Sequence, residues 1–396
     1  MNSNMNIQKY FPKNIPRDFL LFLLAVSAIG FAQSLVDSTL NNYLHEQFQI
    51  TNFQRSLLEV PREVPGLIVI FVSAMFFFIC NRTLASISQL LASIGVFMIG
   101  LFTFDYSTML VWLFVFSLGQ HLFLPLTQDI GMELAHEGST GKRLGQLQGV
   151  SNFAAIIGSF LVFVGFKYLN FNFQITFILS AIAFLAGAIL IYSMKKNKPV
   201  SFKSRFTFRK EYKLYYILTI LYGTRKQIFM TFAPWVLVTV FLQKTQMIAT
   251  LLTIGGIIGI VFKPFLGRAI DKYGEKIILS GEAILLIFVC IGYGFSRTVF
   301  PVNIAFIIAA ICYIIDQLLM SVSMARATYL KKIAVIPEDI TSTLTAGVSI
   351  DHIFSITIAL TGGLIWKLFG YEYIFLLGAV IALVNLYFTS QIKIQK

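Results

Sequence analysis

The chain has 396 residues, of which 57% are apolar and only 12% are charged, and its mean hydropathy is +0.78. This composition excludes a soluble domain and indicates an integral membrane protein. The formal net charge of +13 would point to nucleic acid in a soluble protein, so the placement of the cations decides its meaning.

Twelve stretches of the chain are long and apolar enough to cross about 30 Å of hydrocarbon as helices. They are predicted near 18–45, 53–79, 83–104, 108–135, 144–168, 172–194, 213–242, 246–267, 276–295, 302–330, 341–366 and 371–392. The first stretch is too long for the apolar part of a signal peptide, so we expect the N-terminus to be retained. The sequence therefore predicts an all-α integral membrane protein.

The cations are distributed unevenly between the predicted loops. Of the 31 Lys and Arg residues, 21 lie in the tails 1–17 and 393–396 and in alternate loops, whereas five lie in the other loops. The positive-inside rule then places both termini in the cytosol and predicts a multi-pass protein of the cell membrane. The basic loop 195–212 divides the chain at its midpoint, and we expect it to contact anionic lipid head groups rather than nucleic acid.

A short motif follows the eighth predicted span. Residues 267–276 read GRAIDKYGEK, which resembles the cytoplasmic loop signature of the major facilitator superfamily of transporters. Glycines permit close helix approach and a tight reversal, the aspartate can face a helix N-terminus, and the cations hold a loop in the cytosol. The motif residues are Gly267, Arg268, Asp271, Lys272, Gly274 and Lys276. The equivalent positions of the first half, 80–83, lack the aspartate and both glycines.

The two halves of the chain are related to each other. A shift of 198 residues places Gly149-Val150-Ser151 on Gly347-Val348-Ser349 without a gap. Two parallel six-helix repeats joined by a central cytoplasmic loop are the plan of the same superfamily. The resemblance implies two pseudo-symmetric six-helix bundles, residues 18–194 and 213–392, that work by alternating access around a central cavity.

Charged residues inside the predicted spans mark a candidate solute path, because such charges are costly in a bilayer and usually face a cavity or a partner. In the second span Glu59, Arg62 and Glu63 share one helical face through their spacing. They either line water or form an internal ion-pair cluster that fixes this span to a neighbour.

Two adjacent cations, Arg225 and Lys226, lie near the middle of the seventh span. Such a pair requires negative charge nearby, from the protein or from a substrate. Asp316 and Asp351 lie at similar depth and are the candidates within the protein. If they do not neutralise the pair permanently, a substrate anion completes a binding site formed by these residues together with Arg62.

Proton coupling requires a group that can change its charge as the cavity opens from one side to the other. Burial favours the neutral form of a carboxyl group and a nearby cation favours the charged form, so Asp37, Glu59 and Glu63 are candidate proton carriers. His352 can titrate in the same range, although a buried histidine is more often a packing residue, as we also expect for His121.

Four charges lie closer to the predicted cytoplasmic ends of their spans, namely Asp129, Glu133, Lys263 and Arg326. They are predicted to form gate ion pairs that break when the inner mouth opens, with snorkelling to the membrane surface as the alternative. The pseudo-symmetry predicts that the motif aspartate, Asp271, faces the helix start near Leu144 and Gly145.

The sequence holds no phosphate-binding loop or nucleophile motif, so no enzyme is predicted. Its three cysteines show no pairing or metal-binding pattern, and neither a metal nor a cofactor is expected. The predicted function is secondary transport of a small polar solute that carries a negative group, coupled to protons, by a monomer in contact with membrane lipids. An exporter of amphipathic drugs is the alternative within transport, and a non-transporting sensor or a lipid-moving protein is the alternative outside it.

Overall fold

A computed structural model describes residues 17–75, 79–135, 140–195, 209–336 and 338–393. Most of the two predicted tails and of the loop 195–212 lies outside these ranges. The described helices are α1 (Arg17–Phe48), α2 (Asn52–Leu57), α3 (Glu59–Met75), α4 (Asn81–Leu101), α5 (Tyr106–Glu133), α6 (Thr140–Tyr168), α7 (Phe173–Tyr192), α8 (Lys213–Thr239), α9 (Thr245–Tyr273), α10 (Glu275–Val299), α11 (Val302–Leu319), α12 (Ser323–Ile333), α13 (Glu338–Phe369) and α14 (Glu372–Ser390).

These helices make twelve passes, as the sequence predicts. In the described part of the chain, ten helical segments are long and apolar enough to span a membrane. The other two passes are α2 with α3, which are each too short alone, and α8, which carries Arg225 and Lys226 in its middle.

Two passes that were predicted as continuous spans are interrupted. The span predicted at 53–79 breaks at Leu58, where α2 ends and α3 begins. Pro61 then falls in the first turn of α3, where a missing N–H removes no helical hydrogen bond. The span predicted at 302–330 contains a tighter 3-10 turn at Met320–Val322 between α11 and α12.

The helices pack as two bundles with matching contacts. In the first half α1 packs on α6 and α7, and α4 packs on α5 and α7. In the second half α8 packs on α13 and α14, and α10 packs on α11 and α14. Gly149 of α6 and Gly347 of α13 are 198 residues apart, which is the shift that aligns the two halves of the sequence. The two predicted six-helix bundles are therefore present.

The halves meet through α6 with α9 and through α2 and α3 with α13. We call the end of the molecule that holds Arg17 and Lys393 the basic face, and the other end the opposite face. At the opposite face Trp235 Nε1 donates to Asn52 Oδ1 at 2.7 Å, and Asn42 Nδ2 donates to the Gln243 carbonyl at 2.9 Å. The hydrogen bonds that the structure shows between the halves lie here and at mid-depth, so this is a state closed at the opposite face.

Candidate functional site

Glu59 is the centre of a buried charge cluster where α2 meets α3. Its carboxylate is fully buried and accepts hydrogen bonds from Arg55 Nη1 at 2.6 Å and Arg62 Nη1 at 3.2 Å. Gln227 Nε2 of the other half donates to the same carboxylate at 3.1 Å. Two cations and an amide thus hold Glu59, which favours the internal ion-pair alternative for this residue over proton transfer.

The two adjacent cations of α8 have separate carboxylate partners. Arg225 forms an ion pair with Asp316 of α11, and the two side chains are only 2% and 0% exposed. Lys226 Nζ lies 2.7 Å from Asp351 Oδ2 of α13, but these side chains are 22% and 14% exposed. The first pair is sealed inside the bundle, whereas the second borders the space between the halves.

Glu63, His121 and His352 form a third group that joins the halves. His352 Nδ1 lies 2.7 Å from Glu63 Oε2, and the rings of His121 and His352 lie 4.9 Å apart. Gly66 makes room for both rings, because a Cβ there would lie within 3 Å of each. The sequence predicted Glu63 and His352 as separate candidates, and the structure brings them together.

A cavity of about 190 Å³ lies between the halves, lined by α1 and α6 on one side and by α9 and α11 on the other. Asp37 and Lys263 face it from opposite halves. Neither takes part in an ion pair within the described parts of the chain; Asp37 Oδ1 accepts a hydrogen bond from Gln33 Nε2 at 2.9 Å. The remaining polar side chains of the wall are Ser34, Asn152, Ser159 and Gln317.

The cavity therefore offers opposite charges on its two walls and neutral hydrogen-bonding groups between them. The wall on α9 is formed partly by Gly255, Gly256 and Gly259; Gly255 and Gly259 leave space beside the helix, whereas Ile156 of α6 packs against Gly256. The sequence assigned Asp37 to proton transfer and Lys263 to a gate, and the structure places both in one cavity.

Two of the other predicted gate residues, Glu133 and Arg326, have partners within their own half. Glu133 lies 2.8 Å from Arg82, and Arg326 lies 3.0 Å from Glu282. Asp129 is exposed, and it forms no ion pair with another of the described residues. Ion pairs between the halves at the basic face remain a prediction for the other state of the protein.

The motif residues 267–276 were predicted in a loop, and this was wrong. Helix α9 continues through Gly267, Arg268, Asp271 and Lys272 to Tyr273, and α10 begins at Glu275, so Lys276 is also helical. The chain reverses at Gly274 alone, whose φ of 84° suits glycine. The helix accommodates Gly267 and continues, because the residues from Arg268 to Tyr273 include no proline or further glycine.

Asp271 is exposed at the basic face, and no hydrogen bond of the described residues joins it to Leu144 or Gly145. In the first half, Arg82 provides the corresponding connection instead. It lies 2.5 Å from Asp18 Oδ2 and 2.5 Å from the Lys195 carbonyl, in addition to Glu133. It thereby fixes the start of α4 to the ends of three other helices of the same half.

The sequence did not predict the roles of Arg55, Gln227 and Glu282, or that Arg82 holds helix ends together. Glu282 is a carboxylate inside a predicted span, so the rule that selected Asp316 would also have selected it. Gln227 carries no charge and gives no comparable signal. Arg55 lies at the start of the span predicted at 53–79 and was not selected, yet it is buried.

The twelve passes, the paired six-helix bundles and the polar cavity between them define a multi-pass membrane transporter rather than an enzyme. The sequence model of the Major Facilitator Superfamily matches residues 22–334, and the chain belongs to this family. The comparison with curated protein sequences found no match.

Solved structures of transporters have the same fold. The nucleoside transporter NupG has a TM-score of 0.75 at 13% identity, over 95% of this chain and 100% of NupG. A D-xylose-proton symporter has a TM-score of 0.72 at 14% identity, over 95% of this chain and 97% of the symporter. A POT family transporter in complex with a thioalcohol-conjugated peptide has a TM-score of 0.73 at 15% identity, over 94% and 95%.

Proposed function

We propose that this transporter carries a small polar solute with a negative group and couples its movement to protons. The observation that supports this most is the cavity between the halves, where Lys263 is a cation without a carboxylate partner among the described residues. An ammonium group at this depth is costly unless it is paired, and the negative group of a solute would pair with it. Asp37 and the neutral polar side chains on the facing wall would hold hydrogen-bond donors of the same solute.

This proposal changes the binding residues that the sequence suggested. Arg225 and Asp316 neutralise each other inside the bundle, so we assign them a structural role. Arg62 and Lys226 remain candidates for contact with solute, because their side chains are 25% and 22% exposed. Their carboxylate partners already balance them, however, which makes Lys263 the preferred anion-binding group.

Asp37 is the preferred proton carrier. Its carboxylate is exposed to the cavity and accepts a hydrogen bond from one neutral amide, so it can gain a proton without breaking an ion pair. A protonated Asp37 reduces the charge that must move with the solute when the cavity changes sides. The fold is shared with a D-xylose-proton symporter, which supports coupling of this kind.

The positive-inside rule makes the basic face cytoplasmic and the closed opposite face external. The structure then corresponds to an inward-facing state of a cell-membrane protein, which we propose acts as a monomer. The alternative of a drug exporter is less well supported, because the cavity of about 190 Å³ is smaller than the 300–1,000 Å³ typical of sites for drug-sized ligands.

Proteoliposomes that contain a trapped pH indicator would test this function. We expect organic anions or amino acids, but not lipophilic cations, to cause proton movement in wild-type vesicles. Lys263→Gln should abolish the response, whereas Asp37→Asn should retain solute exchange and lose its proton movement. Lys244→Gln at the start of α9 is the control, because Lys244 lies outside the cavity. A normal anion response in Lys263→Gln vesicles would contradict the assigned binding group.

A further inference from the structure

Three side chains with metal-binding chemistry converge between the halves at mid-depth. Glu63 of α3, His121 of α5 and His352 of α13 each offer one ligand atom, and these atoms all lie within 4.8 Å of one another. We propose that Glu63, His121 and His352 form a site for a divalent transition-metal ion, with Zn²⁺ as the best-matched ion. Nothing in the transport proposal requires this site.

The hydrogen bonds around His121 support metal ligation. His121 Nδ1 lies 2.9 Å from the Ser117 carbonyl, so this nitrogen donates its proton and leaves the lone pair of Nε2 free. A histidine that binds a metal usually donates its other ring N–H in this way, which fixes the ring orientation. Ser117 Oγ, 3.0 Å from the same nitrogen, adds a second anchor.

The three ligand atoms are near enough to one another for small side-chain movements to place them around one tetrahedral ion. Ligand atoms about 2.0–2.2 Å from Zn²⁺ in a tetrahedral site lie roughly 3.3–3.6 Å from one another. His352 Nδ1 and Glu63 Oε2 are now 2.7 Å apart, bridged by a proton that a metal ion would replace. The absence of a side chain at Gly66 lets both rings move, since a Cβ would lie 2.6 Å from His352 and 2.8 Å from His121.

Two histidines, one carboxylate and one open position form a ligand set that Zn²⁺ prefers, whereas Mg²⁺ and Ca²⁺ prefer oxygen ligands alone. Glu63 is available for the ion because its ion-pair partner among the described residues is His352 itself, while the adjacent Arg62 pairs with Glu59. The Glu63 carboxylate also offsets part of the charge of a dication in a site that is largely buried.

The position of this site has a mechanical consequence. Glu63 and His121 belong to the first half and His352 to the second, so a bound ion would bridge the two bundles. Alternating access requires these bundles to move against each other around the site. Zn²⁺ would therefore hold the transporter in the state that is closed at the opposite face, because it binds that state and loses a ligand in the other.

Calorimetric titration of full-length protein, purified through a tag without histidine, would test the site. We expect one Zn²⁺ per chain and no binding of Mg²⁺. His121→Asn and His352→Asn should each weaken Zn²⁺ binding at least tenfold. His45→Asn, which alters a histidine beside Trp235 at the opposite face, should leave it within twofold of wild type. Binding that is absent, or unchanged in both cluster variants, would overturn the proposal.

Two further measurements protect this test against a variant that fails to fold. Co²⁺ bound to the wild-type protein should show the intense visible absorption of a tetrahedral site, whereas the weak spectrum of an octahedral ion would count against the ligand set. Spin labels placed at Lys195 and Lys393, at the ends of the two halves, would report the distance between the halves at the basic face. Zn²⁺ should narrow the distribution of this distance. An unchanged distribution at saturating Zn²⁺ would refute the bridge between the halves.

Discussion

The ion pair between Arg225 and Asp316 gives the sharpest test of the distinction between structural and substrate-binding charges. Both side chains are almost fully buried, at 2% and 0% exposure, so neither charge is compensated by water. Removing one partner of such a pair costs about 3–5 kcal/mol, because the remaining charge is left buried. In Asp316→Asn the amide oxygen can still accept a hydrogen bond from Arg225, so we expect a loss near the lower limit, about 3 kcal/mol.

The double variant Arg225→Met with Asp316→Leu removes both charges and keeps the volume similar. Replacement of a buried pair by apolar residues is often neutral, so we expect the free energy of unfolding to return to within about 1 kcal/mol of wild type. Denaturant titration in detergent micelles, followed by intrinsic fluorescence, measures both values. A single variant as stable as wild type, or a double variant as unstable as the single one, would refute the reasoning.

The same double variant also tests function. If the pair is structural, the proton movement caused by the transported solute should remain within about tenfold of wild type, which corresponds to about 1.4 kcal/mol. Complete loss in a stably folded double variant would show that Arg225 or Asp316 contacts the solute after all.

Three more predictions concern the ends of the molecule. Gly363→Val should shift the protein away from the state that is closed at the opposite face, because even a Cβ would lie 2.2 Å from Ser56 Oγ. Labelling of cysteines introduced at that face should then rise, and unchanged labelling would count against tight closure there. Arg82→Gln should lower the free energy of unfolding by about 2–3 kcal/mol, because it removes charge-assisted hydrogen bonds to two carboxylates and a carbonyl. A chemical denaturation midpoint equal to that of wild type would contradict this. Hydrogen bonds from the Thr108 backbone N–H and hydroxyl hold the pKa of Asp105 below its usual range. The stability that the Asp105 carboxylate contributes is therefore present at neutral pH and is lost as the pH falls through the lowered pKa. The melting temperatures of wild type and Asp105→Ala should converge on acidification, and a constant difference would be inconsistent with this.

The number and order of the helices could be predicted because a run of about 20 mostly apolar residues in the sequence indicates each pass. The relation between the halves could also be read directly, since Gly149 and Gly347 keep the same register in α6 and α13. Local breaks were harder to predict, because the interruption at Leu58 changes neither hydropathy nor length in an obvious way.

The pairing of the buried charges could not be predicted from one sequence. Hydropathy gives the approximate depth of a charge but not the direction in which its side chain points. Glu63 and His352 are 289 positions apart, and Glu59 and Gln227 are 168 apart, so no local pattern connects them. The sequence could therefore present Arg225 as either a structural or a binding residue, and only the contact with Asp316 favours the former.

The direction of the Lys263 side chain also could not be predicted from the sequence. Its position near a helix end predicted a gate, because sequence depth could not show that α9 turns this side chain toward the cavity. Its position opposite Asp37 in the same cavity depends on how the bundles meet, and this follows from the packing of α6 on α9.

The central claim is that Lys263 binds the negative group of the solute, and a thermal-stability screen tests it most directly. Detergent-purified wild type, Lys263→Gln and Lys244→Gln would be heated with organic anions, amino acids, uridine, xylose, dialanine and lipophilic cations. A ligand present at 100 times its Kd should add about 2.7 kcal/mol of stability. We predict stabilisation of wild type and Lys244→Gln by an anion-bearing solute, and none of Lys263→Gln. Stabilisation by lipophilic cations alone, or by an anion equally in all three proteins, would contradict the claim.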